Sequence, residues 1–221
     1  MSASARRLVG IALAMVLVCV LLGLYVGIYL TGASAAAGPL ETASGPHLYL
    51  ATVPAAALTD AHPTWVSYYA VSPTSTNWKH ATTYTLPANT VVTVTVYEYD
   101  TQTGLRNNFI SAAQGTTGGS FQLDGKTVQN IDPDTASHIF AIPELGLSVP
   151  LAGPLSTAKN LCSNAPCSLS NAHTTTTFSF RTPGQGLYRF QCFVPCALGF
   201  INGVGGPMAT VGYMDGYIKV V

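Results

Sequence analysis

Thr174-Thr-Thr-Thr-Phe-Ser-Phe-Arg-Thr-Pro-Gly-Gln-Gly-Leu-Tyr-Arg-Phe-Gln-Cys-Phe-Val-Pro-Cys196 is the stretch that decides the fold. Near its start Phe178 and Phe180 alternate with Thr177 and Ser179. A period of two in β-branched and aromatic residues marks a half-buried strand. Thr182-Pro-Gly-Gln-Gly186 reads as a turn, because proline fixes φ and glycine accepts positive φ. Leu187-Tyr-Arg-Phe-Gln191 is a second strand that delivers Cys192 to a sheet end. A glycine-rich loop with Cys196, Met208 and Met214 follows, and Gly216-Tyr-Ile-Lys-Val-Val221 closes as a last strand.

Working outward, the same period of two recurs upstream. His47–Val53, Trp65–Val71 and Ala81–Leu86 read as strands, and Pro87-Ala-Asn89 is a turn. Thr90–Tyr99 is the clearest strand, with Val92, Val94 and Val96 alternating against Thr93, Thr95 and Tyr97. The segment Asp100–Pro133 is long, and the glycines from Gly115 to Gly119 suggest a loop or a small extra hairpin. After residue 40 no long amphipathic helical period occurs, so the body is expected to be all-β.

The N-terminus differs. Leu8–Leu30 carries no charge and is long enough, at about 1.5 Å per residue, to cross a hydrocarbon core of about 30 Å. Ala33-Ser-Ala35 resembles a small-residue cleavage site, but a signal peptide has an apolar region of only about 7–15 residues. Residues 1–31 are therefore read as a transmembrane anchor. Residues 32–46, rich in Ala, Gly and Ser, are read as a flexible linker, and 47–221 as one extracytoplasmic domain. Arg6 and Arg7 precede the span, which leaves the C-terminal body outside the cytoplasm. Cys19 lies mid-span as a small packing residue.

Charged residues make up only 8% of the chain and the formal net charge is zero, which argues against a nucleic-acid partner. A coat of Thr, Ser, Asn and Gly stays hydrated without carboxylates that titrate. An acidic exterior is one reason for such a coat; coverage by partner subunits is another.

The run His138-Ile-Phe-Ala-Ile-Pro-Glu-Leu-Gly146 resembles a motif in subunit II of haem–copper oxidases. Arg181–Cys192 is similar to that family's "PG-x-Y-x-x-QC" strand pair, and Cys192 and Cys196 have the spacing of its two bridging thiolates. The resemblance covers roughly the last 85 residues. It implies an all-β, cupredoxin-like Greek-key sandwich or barrel behind a single transmembrane helix. It also implies copper, in a copper-A-like or an atypical mononuclear site.

The implied ligands are His138, Cys192 and Cys196, with Met208 or Met214 to complete the set. Soft thiolate and imidazole suit copper. The chain departs from the family where its pattern places a histidine and a methionine, because Phe200 and Gly203 stand there and no histidine follows His173. Cys192 and Cys196 are thus either copper thiolates or a disulfide.

Cys162 and Cys167, in a polar loop outside the membrane, are expected to pair, since oxidising compartments favour disulfides. His47, His62, His80 and His173 read as surface or turn histidines, and Trp65 and Trp78 as core or interface residues. Glu144 belongs to the family-like motif or is simply solvated.

The function expected is electron transfer: an anchored subunit that accepts electrons from a soluble donor and relays them to a membrane oxidase subunit I-like partner. It would be at most a non-catalytic subunit of a terminal oxidase. A copper-free structural subunit of a quinol-type oxidase and a copper-delivery protein are the alternatives.

Overall fold

The computed structural model describes residues 2–25, 41–42, 46–56, 64–72, 75–104, 107–195 and 205–221. The chain divides into two compact units, Met1–Ser34 and Ala35–Val221.

In the first unit Ala3–Tyr25 forms helix α1. Its segment Ser4–Tyr25 has a mean hydropathy of 2.8 and none of its most apolar window is buried. The described helix starts before the expected span and takes in Arg6 and Arg7; residues 26–30 lie outside the described residues. Leu8, Ile11, Leu13, Val16, Leu17, Leu21 and Leu24 are all exposed. An apolar surface of that extent calls for a lipid or protein neighbour. The helix could span a membrane, and by length and composition alone a signal sequence would pass the same test.

The second unit is built of thirteen described strands. In chain order they are β1 (Glu41–Thr42), β2 (His47–Val53), β3 (Ser67–Ser72), β4 (Ser75–Lys79), β5 (Thr83–Leu86), β6 (Val91–Glu98) and β7 (Phe121–Leu123). Then come β8 (Lys126–Val128), β9 (Ala136–Ile142), β10 (Leu147–Ala152), β11 (Thr174–Arg181), β12 (Gly186–Gln191) and β13 (Asp215–Val220). One sheet runs β1-β5-β13-β12-β9-β10 and the other β4-β3-β2-β6-β11-β7-β8. The β2–β6 and β5–β13 pairs are parallel, so the chain crosses between distant strands rather than meandering. This is a mostly β, two-sheet body with one N-terminal apolar helix, and the alternating pattern led us to expect the β body.

Alternation explains the core directly. Val92, Val94 and Val96 of β6 and Phe178 and Phe180 of β11 turn inward. They meet Ile139, Phe140 and Ile142 of β9 and Phe190 of β12 in one buried cluster. On the opposite face of the β6–β11 pair, Thr93 bonds Ser179 and Thr95 bonds Thr177, each at 3.0 Å. Tyr68 stands edge-on to Phe140 and Phe190, and its hydroxyl donates to the Ile139 carbonyl at 2.9 Å.

Three features were not read from the sequence. Residues 147–152 form edge strand β10, where Pro150 sits without needing a second ladder partner. Ser75–Lys79 forms a further strand. Glu41–Thr42, inside the stretch read as a linker, pairs in parallel with β5. In the insert after Asp100, read as a loop or a small extra hairpin, the Gly115–Gly119 stretch holds a short 3-10 turn, and a hairpin, β7–β8, follows it and adds to the sheet beside β11. Its turn is Asp124-Gly125, both at positive φ, which suits a two-residue hairpin.

Candidate metal centre

His138 lies near the start of β9, opposite Leu151 of β10, and is fully buried. Every residue of β9 is buried, so both faces of the strand are covered. Cys192 directly follows β12 and is equally buried. Its N–H donates to the Met214 carbonyl at 3.0 Å, which carries the β12–β13 ladder one residue further and fixes the thiol position.

From there the Cys192 Sγ lies 3.8 Å from His138 Nδ1. The Ile139 N–H donates to the same sulfur at 3.5 Å, and the thiol reaches the Val194 carbonyl at 3.7 Å. Residues 54 apart in sequence therefore meet at one sheet end, with the ring's Nδ1 facing the thiol.

The other ring nitrogen faces an acid. His138 Nε2 lies 3.2 Å from Asp100 Oδ2. Behind Asp100 stands Glu98, wholly buried on the inward face of β6, whose Oε1 accepts from the Asp100 N–H at 2.9 Å. Burial pushes the Glu98 carboxyl up to about 8 against an opposing pull from His138. Burial also tends to raise Asp100, but the His138 hydrogen bond and charge hold it below the usual carboxylate range. For His138 burial acts downward; the field of Glu98, the Asp100 hydrogen bond and the Cys192 sulfur outweigh it and lift the ring well above 6.5.

The chemistry of the pair suits a metal. An imidazole nitrogen at about 2.0 Å and a thiolate sulfur at about 2.3 Å from one ion stand about 3.5–3.7 Å apart, for angles from tetrahedral to trigonal. The observed 3.8 Å lies just beyond that range, so a small inward movement would let both donors reach one ion. The two described donors are close enough to share one metal ion, and thiolate with imidazole is a donor set that copper accepts.

The remaining expected ligands are placed less completely. Met214 is fully buried in the main core, with its backbone against Cys192. Met208 is buried in the turn Gly206–Ala209, and its carbonyl accepts from Gln191 Nε2 at 2.8 Å. Cys196 lies outside the described residues, as do Phe200 and Gly203. Among the described residues no group of three or more His, Cys, Asp or Glu side chains is arranged to hold a metal.

Neighbouring groups brace the strands rather than join the centre. Asp215, buried next to Met214, takes a bidentate hydrogen bond from Arg189, with Nε to Oδ1 at 2.8 Å and Nη2 to Oδ2. Glu144 accepts from the Arg189 N–H at 3.3 Å. Cys162 and Cys167 form a disulfide with a Cα–Cα distance of 5.8 Å, as expected. It packs in a separate cluster with Tyr69 and Tyr99.

No protein-family model and no curated protein matches the chain. Among solved structures it is similar to rusticyanin. One from Thiobacillus ferrooxidans is 18% identical, with a TM-score of 0.35 over 83% of this chain and 86% of that one. A reduced rusticyanin is 18% identical, with a TM-score of 0.32 over 86% and 89%. A multicopper oxidase is 9% identical, with a TM-score of 0.32 over 81% of this chain and 45% of that one.

Sequence reasoning missed Asp100 and Glu98, yet a signal existed for one of them. Continuing the inward series Val92, Val94, Val96 by two residues reaches Glu98, a carboxylate aimed into the core. Asp100 offered no such sign, because it reads simply as the start of a long connection.

Proposed function

We propose that this chain is a membrane-anchored electron-transfer domain that holds copper between His138 and Cys192. The observation that carries the reading is the facing of His138 Nδ1 and Cys192 Sγ at 3.8 Å in a fully buried site. Copper bound there would supply one-electron redox chemistry. Cys192 provides the thiolate, anchored by the Ile139 N–H, and His138 the imidazole. Cys196 and either Met208 or Met214 are the candidates to complete the set. Burial keeps bulk water from the pair, and the rigid sheet ends limit how far its ligands can move when the charge changes.

The likeness of His138–Gly146 and Arg181–Cys192 to subunit II of haem–copper oxidases supports a more specific role. The domain would sit on the outer face of the membrane behind α1. It would accept electrons from a soluble donor and pass them to an oxidase subunit I-like partner that performs the catalysis. A copper-free structural subunit is the second reading, favoured by Phe200 and by the absence of any histidine after His173. A copper-delivery role rests only on the Cys and Met content of the same loop.

Copper titration of the purified protein, followed by visible spectroscopy, tests this. Thiolate–copper charge transfer should colour the oxidised form and bleach on reduction, and Cys192→Ser should abolish the colour. Cys196→Ser should destroy or reshape the spectrum of a two-thiolate centre and leave a single-thiolate centre nearly intact. A colourless protein without copper after reconstitution, with Cys192 bonded to Cys196, would exclude electron transfer and favour the structural subunit. For topology, Gly38→Cys should be labelled by an impermeant thiol reagent in intact cells; protection would reverse the orientation.

A further inference from the structure

We propose that Asp100 is the positioning residue of the His138–Cys192 pair, set in place by Glu98 and by the packing of Ser137 against Gly153. The functional meaning of this role rests on the metal reading above, but the role itself can be read without a metal.

An imidazole has two different nitrogens, and only one should face a metal with a free lone pair. A carboxylate can only accept, so Asp100 Oδ2, 3.2 Å from Nε2, selects the ring form with its proton on Nε2. Nδ1 is then left with its lone pair toward Cys192 Sγ. Such outer partners orient metal-binding histidines generally.

Asp100 is itself fixed on several sides. Its N–H is held by Glu98 Oε1 at 2.9 Å, and its Oδ1 accepts from the Thr101 N–H at 2.8 Å. The Ser137 hydroxyl, on the residue just before His138, is shared between the carbonyls of Asp100 at 2.9 Å and Thr101 at 2.6 Å. The segment that follows is sewn to the ends of β9 and β10, with Thr103 N–H donating to the Ala136 carbonyl at 3.3 Å and Gln102 Nε2 to the Gly153 carbonyl at 3.1 Å.

Gly153 makes this approach possible. A Cβ there would lie 1.9 Å from Ser137 Oγ and 2.4 Å from the Asp100 carbonyl oxygen. Any side chain would therefore push the clamp apart. A buried carboxyl, a hydroxyl beside the histidine and a bare glycine converge on one acidic residue whose Oδ2 meets the ring.

The test uses the full-length, reduced, metal-free protein in detergent, labelled with 15N-histidine and recorded at rising pH until the nitrogen shifts themselves report a neutral ring. Wild type should show His138 protonated on Nε2. Asp100→Ala should mix the two ring forms or invert them, and Asp100→Asn, whose amide oxygen still accepts, should restore the Nε2 form. With Co(II) as the probe, Asp100→Ala should bind about 10–100-fold more weakly and Asp100→Asn should recover part of the loss. An Asp100→Ala protein with the wild-type ring form overturns the proposal. Should that variant not fold, Ser137→Ala replaces it: a mixed ring form supports the clamp and an unchanged one refutes it. If wild type takes up no Co(II), the metal reading fails while the nitrogen shifts still decide the positioning role.

Discussion

Glu98→Gln should change how the stability of the metal-free protein depends on pH. The Glu98 carboxyl is moved from 4.5 to about 8, chiefly by burial. The unfolded chain ionises it near its ordinary value, whereas the folded chain resists. Between those two values the unfolded state binds fewer protons, so stability falls as pH rises, by up to about 5 kcal/mol over the whole interval. His138 acts in the same direction: its ring is lifted well above 6.5, so the stability it contributes is complete below 6.5 and is lost as pH rises through its folded value. Asp100 acts oppositely, since its lowered carboxyl contributes stability above 3.8 that disappears in acid. The three together place the stability maximum on the mildly acidic side.

Glutamine keeps an oxygen for the Asp100 N–H but does not ionise. It leaves amide hydrogens to be satisfied in a buried site, a cost of about 1–3 kcal/mol. The variant should therefore be less stable than wild type near pH 5 and should approach or overtake it by pH 8. Removing the Glu98 charge also weakens the lift on His138, which flattens the variant's curve further. Denaturant titrations of the full-length chain followed by tryptophan fluorescence report this cleanly. Both tryptophans, Trp65 and Trp78, lie in the β unit and α1 has none. Parallel wild-type and variant curves between pH 5 and 8 would refute the reasoning.

Two further outcomes are expected. Replacing Cys162 and Cys167 together by serine should cost at or below the lower end of the usual ~2–4 kcal/mol, because a ring closed over a sequence separation of 5 restrains little chain. Mass spectrometry of a non-reduced digest checks the pairing, and a Cys162–Cys192 link would contradict it. Tyr68→Phe should cost about 1–2 kcal/mol in the same denaturant assay, since it strips the buried Ile139 carbonyl of its 2.9 Å hydrogen bond. No loss would mean that the carbonyl finds another donor.

The amino-acid order by itself determined the class of fold. Strict alternation in Thr90–Tyr99 and Thr174–Phe180 can only bury one face of a strand, and the observed β6–β11 pair does so with Val92, Val94, Val96, Phe178 and Phe180. It also determined the apolar N-terminal helix, because a long uncharged apolar run without Pro or a period of two favours a helix. The Cys162–Cys167 link was legible too, since both cysteines stand in one short loop. His138 and Cys192 were legible as candidates, through their motifs.

Only the tertiary structure decided how the site is put together. Sequence periodicity reports which face of one strand is buried; it carries no information on which strands become neighbours. That β9 and β12 lie side by side, so that Nδ1 meets Sγ, follows from sheet order. The acid behind the ring is the clearest case. Asp100 is 38 residues from His138 and reaches it only because β6 ends beside the start of β9, where Gly153 leaves room for Ser137 to hold it. Contacts made by loop backbone and one small residue have no period, and the folded geometry alone reveals them.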